Sequence, residues 1–243
     1  METDYFKTYG TCAICGHEGK LSFEHVPPQA AYNDSPIFVQ GHVHLTEQTS
    51  PLYGKKMKSN RGSGGYTLCE SCNKKTGSWY GSAFNDFVHQ GMAIIGQYKH
   101  PVPVITGTYK IKPLNVIKQI ITMFLAIEKG GILRADTNLI DFILNKSKTQ
   151  LPSRYGVYLY SNMASQSRMM GYTFVGGDTR RFKKWSEINF KPFGYFLTDE
   201  SDPPNRLMCK ITSWSNFSYN QEVSVQITTC YLHVDSWIIG TYK

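Results

Sequence analysis

Two Cys-x-x-Cys pairs, Cys12/Cys15 and Cys69/Cys72, most directly imply chemistry in this chain. Such a turn lets two thiolates reach one ion from a tight loop, and a closed four-thiolate tetrahedron is a structural zinc site. The pairs flank residues 16–68, so a shared zinc would pin two distant points of a small domain together. A single pair could act as a redox dithiol, but two matched pairs point to a metal. Cys209 and Cys230 stand alone in strand-like segments and read as buried thiols acting as small hydrophobes.

Between the pairs, the stretch LSFEHVPPQA (residues 21–30) ends an apolar run on Glu24-His25 and then meets Pro27-Pro28; Asn73 follows Cys72 directly. The order Cys12-x-x-Cys15, Glu24-His25, Cys69-x-x-Cys72-Asn73 resembles the HNH, or ββα-metal (His-Me finger), endonucleases. The nearest pattern is their zinc-stapled group, which includes the phage endonuclease VII type and modification-dependent restriction enzymes. There an acid-His dipeptide ends the first strand with a proline nearby, and the second knuckle runs at once into Asn or His on a helix. The resemblance covers about residues 10–90 and does not reach residues 110–243.

It implies that His25 is the general base, that Glu24 and Asn73 hold one catalytic magnesium or manganese, and that the four cysteines hold a separate zinc. Residue chemistry agrees. Imidazole is the natural base near neutral pH. Mg²⁺ takes hard oxygen ligands and keeps several waters, so two protein oxygens suffice. Neighbouring strand residues point to opposite faces, so a bend or bulge must turn Glu24 and His25 into one cleft. Three positions depart from the family pattern. Glu24 stands where Asp is usual. The loop before the second knuckle is glycine-rich, with Asn60 the nearest candidate for an Asn that orients the histidine. Thr76 replaces a lysine three residues after Asn73.

The elements that must position these residues are legible in outline. A strand is expected between the knuckles, ending on Glu24-His25, and a helix over GSWYGSAFNDFVHQG after the second. GHVH (41–44) alternates as a surface strand would. From Pro113 to Gly130, Leu114, Ile117, Ile121, Phe124 and Leu125 share one helical face. A second helix is expected over 137–146. Beyond Pro152, aromatic and β-branched runs separated by turn residues predict strands, including LMCKITSW and SWIIGTY. The fold class is therefore α+β. A zinc-stapled ββα-metal nuclease domain (1–100) is followed by a helices-plus-antiparallel-sheet domain (101–243), with the boundary near residues 95–112.

The 243 residues carry a net charge of +8 and a pI of about 9.1, which suits a polyanionic partner. Lys55, Lys56, Lys58 and Arg61 lie in a stretch without acids, and Lys74 and Lys75 follow the second knuckle. These six are the candidate nucleic-acid contacts. A second basic group, RRFKK (180–184), lies among aromatic residues. DNA is the expected partner, with RNA an alternative; a protein partner or self-association through residues 101–243 is a further expectation. No apolar run reaches the roughly 18 residues a bilayer requires, and no signal-peptide pattern opens the chain, so a cytoplasmic, non-membrane protein is expected. The expected activity is metal-dependent hydrolysis of DNA phosphodiesters, which family analogy extends to restriction or anti-phage defence. The alternatives are a zinc-stapled nucleic-acid-binding protein with a degenerate site, or a protein–protein adaptor.

Overall fold

The computed structural model describes residues 7–98, 101–176 and 183–242. Arg180, Arg181 and Phe182 of the second basic group, and Gly177 of an expected turn, lie outside the described residues.

The chain is mixed α+β. Strands β1 (Tyr9–Thr11) and β2 (Glu18–His25) form a hairpin around the first cysteine pair. A small arm follows, made of β3 (Ile37–Val39), α1 (His42–Thr46) and β4 (Met57–Ser59), with β3 and β4 paired. Strand β5 (Gly64–Cys69) pairs antiparallel with β2, completing a sheet ordered β1-β2-β5. The chain then turns straight into α2 (Glu70–Thr76), a π-helical turn (Gly77–Gly81) and α3 (Ser82–Ile95).

Strand β6 (Val104–Ile111) leads into α4 (Pro113–Ile127), and α5 (Thr137–Leu144) follows. Pro113 opens α4 where its missing N–H costs nothing. Asp136 caps α5 by accepting from the N–H groups of Asn138 and Leu139. The remaining strands are β7 (Tyr155–Ser161), β8 (Arg168–Val175), β9 (Lys183–Phe190), β10 (Phe193–Asp199), β11 (Cys209–Lys210) and β12 (Val223–Cys230). They build a five-stranded antiparallel sheet ordered β11-β7-β10-β9-β8 and a separate β12-β6 pair.

One continuous set of buried apolar residues runs from Cys12 to Ile227. Helix α4 lies in it with 14 residues buried, which is why it is apolar nearly all round. Phe87 of α3 stacks on Phe193 of β10 with centroids 4.7 Å apart. Gly91, one turn further along α3, admits this contact, because a Cβ there would lie 2.3 Å from the Phe193 ring.

Three expected strands differ. GHVH forms α1: four alternating residues also fit a single helical turn, and the His44 carbonyl accepts from Gly54 N–H instead of a strand neighbour. LMCKITSW is a strand only at Cys209–Lys210. Beyond it Val157 N–H bonds the Thr212 hydroxyl, and Thr212–Asn216 winds into a 3-10 turn. SWIIGTY forms no strand, because its carbonyls turn to a side chain: Arg168 Nη1 donates to Ser236, Ile238 and Thr241.

Candidate active site and metal centre

The first cysteine pair sits in the β1–β2 turn. Cys12 N–H donates to His17 O, Gly16 N–H donates to Cys12 O, and Gly16 adopts φ +73°, a conformation glycine takes without strain. Ala13 N–H donates to Thr67 O, binding this knuckle to β5. Cys69 ends β5 and Cys72 lies in the first turn of α2. All four sulfurs lie within 4.8 Å of one another, with Cys15 and Cys69 Sγ 3.8 Å apart. All six cysteines are free thiols. The Cys12 thiol is pushed down to about 4 by a hydrogen bond from Cys72, and backbone N–H groups of Cys69, Cys15 and Ile14 add to this against the effect of burial. Sharing that bond pushes the Cys72 thiol up. Four converging thiols can bind a metal ion. Such a soft donor set suits zinc.

The second feature begins where β2 ends. Its pairing with β5 slips between Ser22 and Phe23, and this bulge breaks the strict alternation of side chains. Opposite His25 stands Gly64, at φ +152°. A Cβ at Gly64 would lie 2.1 Å from Glu24 O, so only glycine lets β5 close against this strand end. Glu24 and His25 both line one cleft of about 320 Å³, together with Asn73.

Asn73 is fixed by the β-sheet beneath it. Its Nδ2 donates to Phe23 O and to Ser22 Oγ, each at 3.1 Å, while Ser22 Oγ donates to Leu68 O. The Phe23 carbonyl can only accept, so the amide nitrogen must face β2 and Oδ1 is left free of that strand. Glu24 is 7% exposed, and burial alone raises its carboxyl pKa to about 8. No ion pair engages it among the described residues. A buried carboxylate without a compensating cation is costly. Glu24 and the Asn73 oxygen are donors of the hard kind that a divalent cation takes. His25 is half-buried. Burial lowers its pKa, hydrogen bonding with the Arg61 backbone opposes that, and the Arg61 charge adds to it. The net direction keeps the imidazole neutral near neutral pH, the form that can accept a proton.

The loop carrying Arg61 is held by a residue with no signal in the sequence, Asn33. It is 1% exposed, donates to Pro27 O and Ser63 O, and accepts from Ser63 N–H, each at 2.7 Å. Val26 N–H also donates to Ser63 O. The glycine-rich segment is therefore tied to the Pro27 turn. The Arg61 backbone meets His25, in the place where an Asn60 side chain was the candidate.

The six basic candidates make different contacts. Arg61 lies 5.5 Å over the Phe23 ring at the cleft and donates to Tyr66 Oη. Lys74 pairs with Glu70 at 2.5 Å. Lys75 lies over Trp79, as does Lys146 from beyond α5, which sequence spacing could not reveal. Lys55, Lys56 and Lys58 are exposed on the β3–β4 arm. Asn85 of α3 and Gln119 of α4 also line the cleft, and nothing in the linear pattern marks them.

No family model, curated protein sequence or solved structure matches the chain. Fold and site therefore define a mixed α+β protein with a four-cysteine cluster able to bind a metal and, close by, an acidic, imidazole and amide group sharing one cleft. Among the described residues no helix is long and apolar enough to cross a membrane.

Proposed function

We propose that this chain is a divalent-metal-dependent endonuclease of the HNH type, with DNA as its substrate. The observation that carries the proposal is the meeting of Glu24, His25 and Asn73 in one cleft, at the junction of an antiparallel strand pair and the helix that leaves the second cysteine knuckle. The four cysteines would hold a structural zinc and take no part in the reaction.

His25 accepts the proton of the attacking water through its neutral ring. The Arg61 backbone, anchored by Asn33, orients that ring. Glu24 and Asn73 supply the two protein oxygens for magnesium or manganese. The bound cation would neutralise charge on the phosphate and on the leaving oxygen. Arg61, over the Phe23 ring at the cleft, draws the phosphate backbone toward it.

The test is incubation of plasmid and linear DNA with Mg²⁺, Mn²⁺ or EDTA, in parallel with His25→Ala. Cleavage that needs the metal and falls 10²- to 10⁴-fold in the variant, with zinc content and fold unchanged, is expected. DNA and RNA left intact under every metal would overturn the reading. One observation favours a second reading, a nucleic-acid-binding protein without cleavage. The carboxyl of Glu24 is buried deeply enough to resist ionisation below about pH 8. Salt-sensitive DNA retention with no cutting at pH 7 or 9 would select it.

A further inference from the structure

Helix α4 is buried along nearly its whole length, so its polar side chains must find partners inside the protein. Three of them do. Asn115 donates to Trp79 O and Asn220 Oδ1 and accepts from Asn220 N–H. Lys118 donates to Asn145 O and Lys146 O. Thr122 donates to Lys118 O. Gln119 differs. It is 2% exposed, and its Oε1 is buried without a hydrogen-bond partner among the described residues. It lines the cleft that holds Glu24, His25 and Asn73. Asn85 of α3 lines the same cleft, and its Oδ1 is also buried and unpartnered.

An unpaired buried amide oxygen is costly, and leucine would fill much the same space without that cost. Packing therefore gives no reason for glutamine here. The missing partner must come through the cleft, and it must be a donor or a cation. Phosphate oxygens only accept, so they could meet the NH2 ends of these amides but not the unpartnered oxygens. A hydrated divalent cation brings what is lacking. A cation held by Glu24 and Asn73 would keep several waters, and each of them would donate.

We propose that Gln119 and Asn85 are positioning residues that hold the water shell of a divalent cation bound by Glu24 and Asn73. The proposal rests on the metal-dependent reading above and extends the site to α4, beyond the segment that carries the family pattern. Among the described residues no hydrogen bond holds Oε1, so the amide can turn that oxygen to the cleft.

The test is titration of the zinc-loaded full chain with Mn²⁺, counting free ion by electron paramagnetic resonance. The variants are Gln119→Leu, Gln119→Glu and, to locate the ion, Glu24→Ala. One Mn²⁺ site is expected, lost in Glu24→Ala. Gln119→Leu should weaken it at least tenfold, within the usual range for groups that orient metal ligands. Its melting temperature should be unchanged or higher, and Gln119→Glu should bind at least as tightly as wild type. Mn²⁺ affinity of Gln119→Leu within twofold of wild type would overturn this proposal alone. A wild-type chain that binds no Mn²⁺, or binds it equally well without Glu24, would overturn the metal-dependent reading too. If Gln119→Leu and Gln119→Glu both bind weakly and melt well below wild type, Gln119 is structural and the proposal falls.

Discussion

At the scale of single residues, the candidate site depends on side chains whose hydrogen bonds leave one orientation open. Asn73 spends its amide nitrogen on β2 and keeps its oxygen free. Asn33 uses both ends of its amide at once, joining the Pro27 turn to the loop that meets His25. Replacing Asn33 with Ala leaves a buried N–H without its acceptor and removes two donated bonds. The expected cost is about 3 kcal/mol, read as a lower urea midpoint with unchanged slope. Asn33→Asp keeps the acceptor for Ser63 N–H but sets a carboxylate against two carbonyl oxygens, and should be no more stable than Asn33→Ala.

At the scale of elements, the helix wall of the cleft carries two glycines that its fold does not require. Gly77 and Gly81 both have right-handed helical backbone, at φ −59°, and a Cβ at either would meet nothing within 4 Å. Both line the cleft. Glycine inside a helix costs about 1 kcal/mol against alanine, so the open space is kept at the expense of stability. Gly77→Ala and Gly81→Ala should each raise stability by up to about 1 kcal/mol in thermal melting while weakening DNA cleavage or retention. Two variants that are more stable and equally active would show that no ligand enters along this wall. Gly64→Ala is the contrast, since its Cβ would collide with the Glu24 carbonyl.

At the scale of the whole molecule, the large sheet is held by a charge network that joins three strands and the turn before β7. Asp199 of β10 takes a bidentate pair from Arg154 before β7, at 2.7 and 2.6 Å. It also meets Tyr172 of β8 and Lys184 of β9. Burial alone would raise its pKa, but the Arg154 and Tyr172 hydrogen bonds and the Arg154 and Lys184 charges outweigh it, and the net shift is downward. An acid whose folded pKa is depressed adds stability above its ordinary value, here 3.8, and loses it as pH falls through the lower folded value. Asp199→Asn should therefore cost about 2 kcal/mol at pH 7. Equilibrium unfolding at stepped pH should show that difference constant from pH 5 to 8 and shrinking below pH 3.8.

The sequence by itself determined the features whose cause is local. Cysteine spacing specifies two turns able to share a metal ion, Pro113 and a 3.6-residue apolar period specify α4, and β-branched runs specify most strands of the large sheet. The meeting of Glu24, His25 and Asn73 was legible as a pattern, because knuckle, strand end and helix start lie at readable offsets. Only the tertiary structure decided what depends on distant partners. The Ser22/Phe23 slip exists because β5 pairs there, and the His44 carbonyl of GHVH accepts from Gly54 N–H beyond the helix end. Arg168 drew the carbonyls of the last segment away from any ladder. Asn33, Asn85, Gln119 and Lys146 reached their places through packing between segments far apart in the chain. Periodicity and spacing report a residue's neighbours along the backbone, whereas an amide oxygen with no partner becomes visible only when every element around it is in place.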